Sequence, residues 1–262
     1  MRLLPVSEIN VDHSKTKEVE EIMKSTFRLI TFSREHYADD LLNTYLSSTT
    51  SLKELLSIKN AQMEAQDDEE AEEYLVNLKE TLLYVTNEIE NQVDFTNEVQ
   101  LFQLFRSTSP DSHKTHPNRY RDKLVQIGAY LCPDPKLVPS LVSELLYNMN
   151  SIKNPIIKSI YFHHELIRIH PFADGNGRTT RIADNWILMY NLYPPVFIRD
   201  NDDKAMYINT LSKSFALLDK TPLKWNAETL SFFEQEIERL RFNCQFVFDE
   251  VKKIGEKRLK TK

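Results

Sequence analysis

Residues 170–181 hold His170, Asp174, Asn176, Arg178 and Arg181, with Gly175 and Gly177 among them. The chain has 4 glycines, and two of them fall here, one residue apart. Helical patterning resumes after Gly177 with Ile182, Trp186, Ile187 and Tyr190, so this loop runs into a helix N-terminus. The first N–H groups of a helix are unpaired and sit at the positive end of its dipole, which favours a bound anion. Gly175 and Gly177 allow the backbone to approach such a ligand closely. Arg178 and Arg181 add two cations to the first turns, the wrong sign for the dipole. A multiply charged anion resolves that conflict, and arginine forks suit phosphate oxygens. Asp174 is placed to hold a magnesium ion bridging phosphates. His170, across the loop, is suited to act as a general base near neutral pH. The combination reads as a di- or triphosphate site with a base beside it.

Other phosphate and metal patterns fit less well. A Walker-type loop needs a preceding strand and a Lys-Ser/Thr after its glycines; here a helix precedes and no lysine follows. A Rossmann fingerprint lacks its βαβ context for the same reason. A metal-hydrolase reading would recruit His163, His164, Glu165 and His170, but position 167, where the helical spacing calls for a histidine, is Ile167. His163 and His164 then read as core or rim histidines.

The elements that must position this loop are helical. Asn154-Pro155 is a capping side chain followed by a first-turn proline, and Ile156, Ile157, Ile160, Leu166, Ile167 and Ile169 make the helix behind it largely apolar. Pro171 ends that helix at about His170. Asp134-Pro135 starts another helix in the same way, with Val138, Leu141, Val142, Leu145 and Leu146 on its inner face. Residues 16–47 carry helical spacing, and a second segment is expected to follow Thr50. The acidic run at residues 67–73 reads as the solvated first turns of a helix, which continues through Leu75, Leu78, Leu82, Val85 and Ile89 as one apolar stripe. Thr86 and Glu90 lie along its edge, and on pattern alone Glu90 is a rim charge. Residues 106–118 read as a loop, and residues 120–128 as a short strand or hairpin arm lying on the core as a flap. A helix is expected through Tyr207, Leu211 and Phe215. From Leu230 to Ile254 apolar residues recur in a 3-4 heptad pattern, which suits a dimerising coil or a long helix packed along its own domain.

Composition sets the outer bounds. A length of 262 residues with 41% hydrophobic and 27% charged residues describes a globular protein with a substantial core, and few glycines among many Leu, Ile, Lys and Glu make it mostly helical. A formal charge of −6 gives no global reason to bind nucleic acid or an anionic membrane, and the basic tail at residues 252–262 reads as a solvated terminus. Cys132 and Cys244, far apart, read as reduced cysteines of a cytoplasmic protein. No membrane-spanning or signal segment is evident.

Residues 170–181 also match, at every defined position, the signature His-x-Phe-x-(Asp/Glu)-Gly-Asn-Gly-Arg-x-x-Arg, and the chain thereby resembles the Fic-domain family from about Tyr120-Arg121 to Phe233. The resemblance implies a compact all-α core with a β-hairpin flap, and transfer of AMP from ATP to a hydroxyl side chain of a protein substrate. It implies His170 as the base, Phe172 as the anchor of the loop, and Asp174 as the holder of Mg²⁺. Gly175, Asn176 and Gly177 become the anion hole, Arg178 the ligand of the β- and γ-phosphates, and Arg181 that of the γ-phosphate. Leu124, Val125, Gln126 and Ile127 would hold a target segment by strand-like pairing, and Tyr207 falls where relatives place an adenine-pocket tyrosine. Phe215 stands near the place of an asparagine usual in the family. Some relatives transfer UMP, phosphocholine or phosphate, or remove AMP, and a non-catalytic nucleotide-sensing module is the remaining alternative. Many members carry an inhibitory helix with the pattern Ser/Thr-x-x-x-Glu-Gly/Asn. Thr86 to Asn91 fits it, which implies a self-inhibited chain in which Glu90 pairs with Arg181. The expected organisation is an N-terminal helical region at 1–105 with the inhibitory helix at about 74–92, a catalytic core at 106–235, and a C-terminal helix and tail at 236–262.

Overall fold

The apolar helix ahead of the loop becomes the centre of the molecule, because from Ile156 to Ile169 every residue of it is buried. The computed structural model describes residues 1–33, 35–115, 117, 120–221 and 224–260. Among these residues the helices are α1 His13–Thr31, α2 Glu35–Glu64, α3 Asp68–Glu90, α4 Glu98–Thr108, α5 Pro110–Thr115, α6 Val138–Ser151, α7 Pro155–Ile169, α8 Asn176–Tyr190, α9 Asn201–Lys220 and α10 Ala227–Lys260. The sheet is one antiparallel hairpin of β1 Gln126–Ile127 and β2 Tyr130–Leu131, with Gln126 opposite Leu131 and Ile127 opposite Tyr130. The all-α expectation with a small hairpin flap is met. Residues 261–262 of the basic tail, and parts of the segment read as a loop at 106–118, lie outside the described residues.

Capping explains where the central helices begin. The Asn154 side chain accepts from the N–H groups of Ile156 and Ile157, and Pro155 takes the first turn. Asp67 caps α3 by accepting from Glu70, and Asp68, Glu69 and Glu70 occupy its first turn, as a solvated acidic start requires. Asp200 caps α9 through Asp203. Asp134-Pro135 opens a single 3₁₀ turn at Pro135–Leu137 before α6.

Three boundaries differ from expectation. Helix α2 runs unbroken through Thr50, and the break falls after α1 instead, because the threonines and serines of α2 bond back onto carbonyls one turn earlier: Thr44 to Asp40 and Thr49 to Tyr45. Residues 110–115 form the short helix α5, opened by Pro110 at its first position. The hairpin pairs only residues 126–127 with 130–131, and Gly128 at φ 57 makes the turn.

Helices α6, α8 and α10 pack on α7, and α8 is flanked by α2, α3 and α4. The heptad stripe of α10 is spent internally: Phe233, Ile237, Leu240, Cys244, Val247 and Val251 are buried along the chain's own domain. The extended start of the chain is pinned beneath α7, where Tyr161 Oη donates to the Leu4 carbonyl and Arg168 to that of Arg2. Among the described residues no helix is long and apolar enough to cross a membrane.

Candidate active site

Helix α7 delivers His170 as its C-cap in the left-handed conformation, φ 53 and ψ 62. That geometry is uncommon for a residue other than glycine, and it turns the chain sharply out of the helix. Pro171 prevents the helix from continuing. Burial pushes the His170 imidazole down to about 4, the Ile167 carbonyl beside it acts the other way, and the nearby charge of Arg121 lowers it further. The ring is therefore neutral at pH 7, and its Nδ1 is buried without a hydrogen-bond partner.

The loop is held at both ends. Phe172 is fully buried and stacks on Phe105 with centroids 4.0 Å apart and planes 2° from parallel, with Phe102 and Tyr120 around it. Asn176 closes the loop on itself, its Oδ1 accepting from the Phe172 N–H at 2.8 Å while its Nδ2 donates to the Phe172 carbonyl at 2.9 Å. The Asn176 side chain is thus committed to the loop's own backbone, and an anion there would meet main-chain N–H groups. Replacing Phe172 with alanine removes the stack and leaves a ring-sized cavity, so a stability loss of about 3–5 kcal/mol is expected, checked by denaturant unfolding.

Both glycines of the loop are required for contact. Gly175 caps α8 at φ 74, and a Cβ on it would lie 1.8 Å from Ser109 Oγ. A Cβ on Gly177 would lie 2.3 Å from Glu64 Oε1. The helix N-terminus is open enough that a carboxylate already rests against it.

The two arginines are buried, Arg178 at 2% and Arg181 at 5% exposure. Arg178 donates to Asp174 Oδ2 at 3.0 Å, and its guanidinium lies 3.6 Å beneath the centre of the Tyr74 ring. Its Nε and Nη1 have no partner. These two unpaired buried donors fit a phosphate-bearing ligand. Asp174 projects outward with 69% of its side chain exposed, and no group of three or more acidic, histidine or cysteine ligands occurs among the described residues. One exposed carboxylate suits magnesium, which keeps several waters and takes its remaining oxygens from substrate phosphates.

Arg181 is where the structure corrects the sequence reading. Its Nε donates to Asn60 Oδ1 at 2.6 Å and its Nη2 to Glu64 Oε1 at 2.5 Å. The expected pair with Glu90 does not form: Glu90 ends α3, is exposed, and faces Lys53, which also reaches Thr86 at 3.4 Å. Burial alone would raise the Glu64 carboxyl, but the charge and hydrogen bond of Arg181 outweigh it and hold the group below the usual carboxylate range. Helix α2 ends at this residue, and Lys204 from α9 caps it by donating to the Met63 carbonyl at 2.7 Å. Asn60 and Glu64 follow the inhibitory pattern with Asn in place of Ser/Thr and Ala65 in place of Gly/Asn, the two departures that hid it.

Tyr207 is buried, and its hydroxyl is bound by His163 Nε2 at 2.8 Å, while His163 Nδ1 pairs with Asp184. His164 bonds Glu165 and Ser214, also inside the core. Both histidines are structural, as expected. The flap exposes Leu124 and Gln126, leaves Val125 and Ile127 half-buried, and carries Leu131 60% exposed beside them. Sequence reasoning passed over Glu64, Asn60, Tyr74 and Ser109, none of which is near the loop in sequence.

Residues 94–188 match the family described as Fic/DOC. The chain is similar to the protein adenylyltransferase Fic of Culex quinquefasciatus, 29% identical over 166 residues that make up 61% of this chain and 33% of the relative. It is 32% identical over 141 residues to the protein of the same name from Nematostella vectensis, covering 52% of this chain and 33% of that one. The chain thus spans about a third of the length of the curated relatives it matches. Among solved structures, a Fic domain containing signaling protein from Bacteroides thetaiotaomicron superposes with a TM-score of 0.70 at 16% identity, over 90% of this chain and 97% of the other.

Proposed function

We propose that the chain, whose residues 94–188 match the Fic/DOC family, transfers AMP from ATP to a hydroxyl side chain of a protein, itself included, and that Glu64 holds it inhibited. The observation that carries this reading is the pair of unpartnered donors, Nε and Nη1, on buried Arg178 beside the N-terminus of α8, which no side chain caps. Phosphates fit that place, and neutral His170 stands across the loop from it.

Each side chain has one task in the transfer. His170 takes the proton of the acceptor hydroxyl onto its ring as the oxygen attacks the α-phosphorus, and pyrophosphate leaves. The N–H groups at the start of α8 face the charge that grows on the transferred phosphate. Arg178 and Arg181 hold the β- and γ-phosphates. Asp174 would hold Mg²⁺, which when bound neutralises charge on the phosphates. Tyr207, buried with its hydroxyl held by His163, would have to back the place for the adenine from inside the core, and residues 124–127 would hold the acceptor segment against the exposed hairpin.

Inhibition follows from occupancy. The carboxylate of Glu64 occupies the face of Arg181 and rests against Gly177, where the γ-phosphate belongs. ATP then binds without the contact that orients its α-phosphorus toward the acceptor. The test is labelling of the purified chain and of lysate proteins with ATP carrying label on the α-phosphate. Glu64→Gly is expected to raise it, and His170→Ala in that background to remove it. Silence of the Glu64→Gly variant overturns the reading. Mass spectrometry of the product checks that the added group is AMP.

A further inference from the structure

Arg121 lies on neither helix of the site, yet its guanidinium meets four backbone carbonyls and nothing else of the loop. Its Nε donates to His170 O at 2.7 Å and its Nη2 to Ile169 O at 3.3 Å. Its Nη1 donates to Lys123 O at 2.8 Å and its Nη2 also to Pro133 O at 2.6 Å. The Arg121 N–H adds a bond to Pro171 O at 2.8 Å. One 3% exposed side chain therefore binds the base's own peptide, the residue on each side of it through fork and backbone, and both ends of the hairpin.

We propose that Arg121 is a positioning residue that fixes the distance and angle between His170 and the acceptor-holding hairpin; this rests on the transferase reading above. Three features support it. His170 sits in a left-handed conformation with a buried Nδ1 that has no hydrogen-bond partner, and its carbonyl is the handle through which Arg121 holds the backbone there. The hairpin has only two paired residues on each strand and cannot hold its own orientation. Lysine cannot replace this contact, because a single ammonium does not reach four carbonyls in one plane. The titratable groups facing His170 are Arg121, Glu64 and Asp174, and of these Arg121 lowers the imidazole while the two carboxylates raise it.

The test uses the full chain carrying Glu64→Gly, with Arg121→Lys and Arg121→Gln added singly. The expected result is a fall in the saturated self-labelling rate of about 10- to 100-fold in both variants. Half-saturation by ATP should stay within twofold, since no phosphate ligand is touched. An NMR titration of His170, which needs no turnover, is expected to move upward in Arg121→Gln and to stay within a few tenths of a unit in Arg121→Lys. A rate within twofold of the parent overturns the proposal, as does a parallel loss of rate and ATP affinity. Failure of both variants to fold also overturns it, because the fork is then a support of the fold and not a joint between base and hairpin. Silence of the Glu64→Gly parent with an unchanged His170 response to Arg121→Gln sinks both readings, whereas silence with the expected response sinks only the transferase reading.

Discussion

Replacing Glu64 with glycine is expected to raise labelling by α-labelled ATP about 10- to 100-fold, the range that a coupling of about 1–3 kcal/mol produces. Two local conflicts meet at this pair. Arg178 and Arg181 stand in the first turns of α8, where cations oppose the dipole, and Glu64 stands in the last turn of α2, where an anion opposes it. Each helix would be more stable without them, and the Arg181–Glu64 pair settles one conflict against the other. Removing the carboxylate leaves Arg181 buried and unpaired, so a γ-phosphate becomes the group that completes it. Glu64→Gln, which keeps the shape and loses the charge, is expected to fall between glycine and the parent. Glu90→Gly, at the far end of α3 beside Lys53, is expected to leave labelling unchanged, which separates this assignment from the one the sequence motif suggests. A rise on Glu90→Gly without one on Glu64→Gly would reverse it.

The proposed inhibition has a defined pH window. Because Arg181 lowers the Glu64 carboxyl in the folded chain, the pair is complete above the ordinary carboxylate range and is lost only as pH falls through the lowered value. Between pH 6 and 8 the parent should remain inhibited to the same extent. Relief by mild acidification, measured as labelling at pH 6 against pH 8, would contradict the pair.

His170→Ala in the Glu64→Gly background is expected to lower labelling by about 10²- to 10⁴-fold, the contribution of a positioned general base. ATP binding by calorimetry should survive, because Arg178, Arg181 and the α8 N-terminus are untouched. Since left-handed geometry at this position costs alanine more than asparagine, His170→Asn is the companion variant that keeps the turn while removing the base. With the imidazole held to about 4, protonation of His170 should not limit the rate from pH 6 to 8. An acid limb centred near the ordinary histidine value would show that the ring is not buried as described.

What the sequence determined by itself is everything that is local. His170, Pro171, Phe172, Asp174 and the residues to Arg181 lie in one loop and the first turns of one helix, so their spacing alone fixes which face the N–H groups, glycines and arginines share. The caps at Asn154 and Asp67, the proline stops and the apolar run of α7 are equally local, and they stand where the residues place them. The partner of Arg181 is not local: Glu64 is 117 residues away. Asn60 with Glu64, and Thr86 with Glu90, both put a polar group and a carboxylate one helical turn apart, and the closer match to the motif, Thr86 to Asn91, is not the one that meets Arg181. Tertiary structure decides, because α2 and α3 form an antiparallel hairpin joined by residues 65–67. The two glutamates then lie at opposite ends of it, roughly 30 Å apart by helical rise. The residues after Glu90 meet the other end of α8, where Trp186 donates to the Val93 carbonyl and Tyr190 to that of Gln92. Glu64 meets its beginning. Packing direction, which no periodicity encodes, chose the carboxylate that pairs with Arg181.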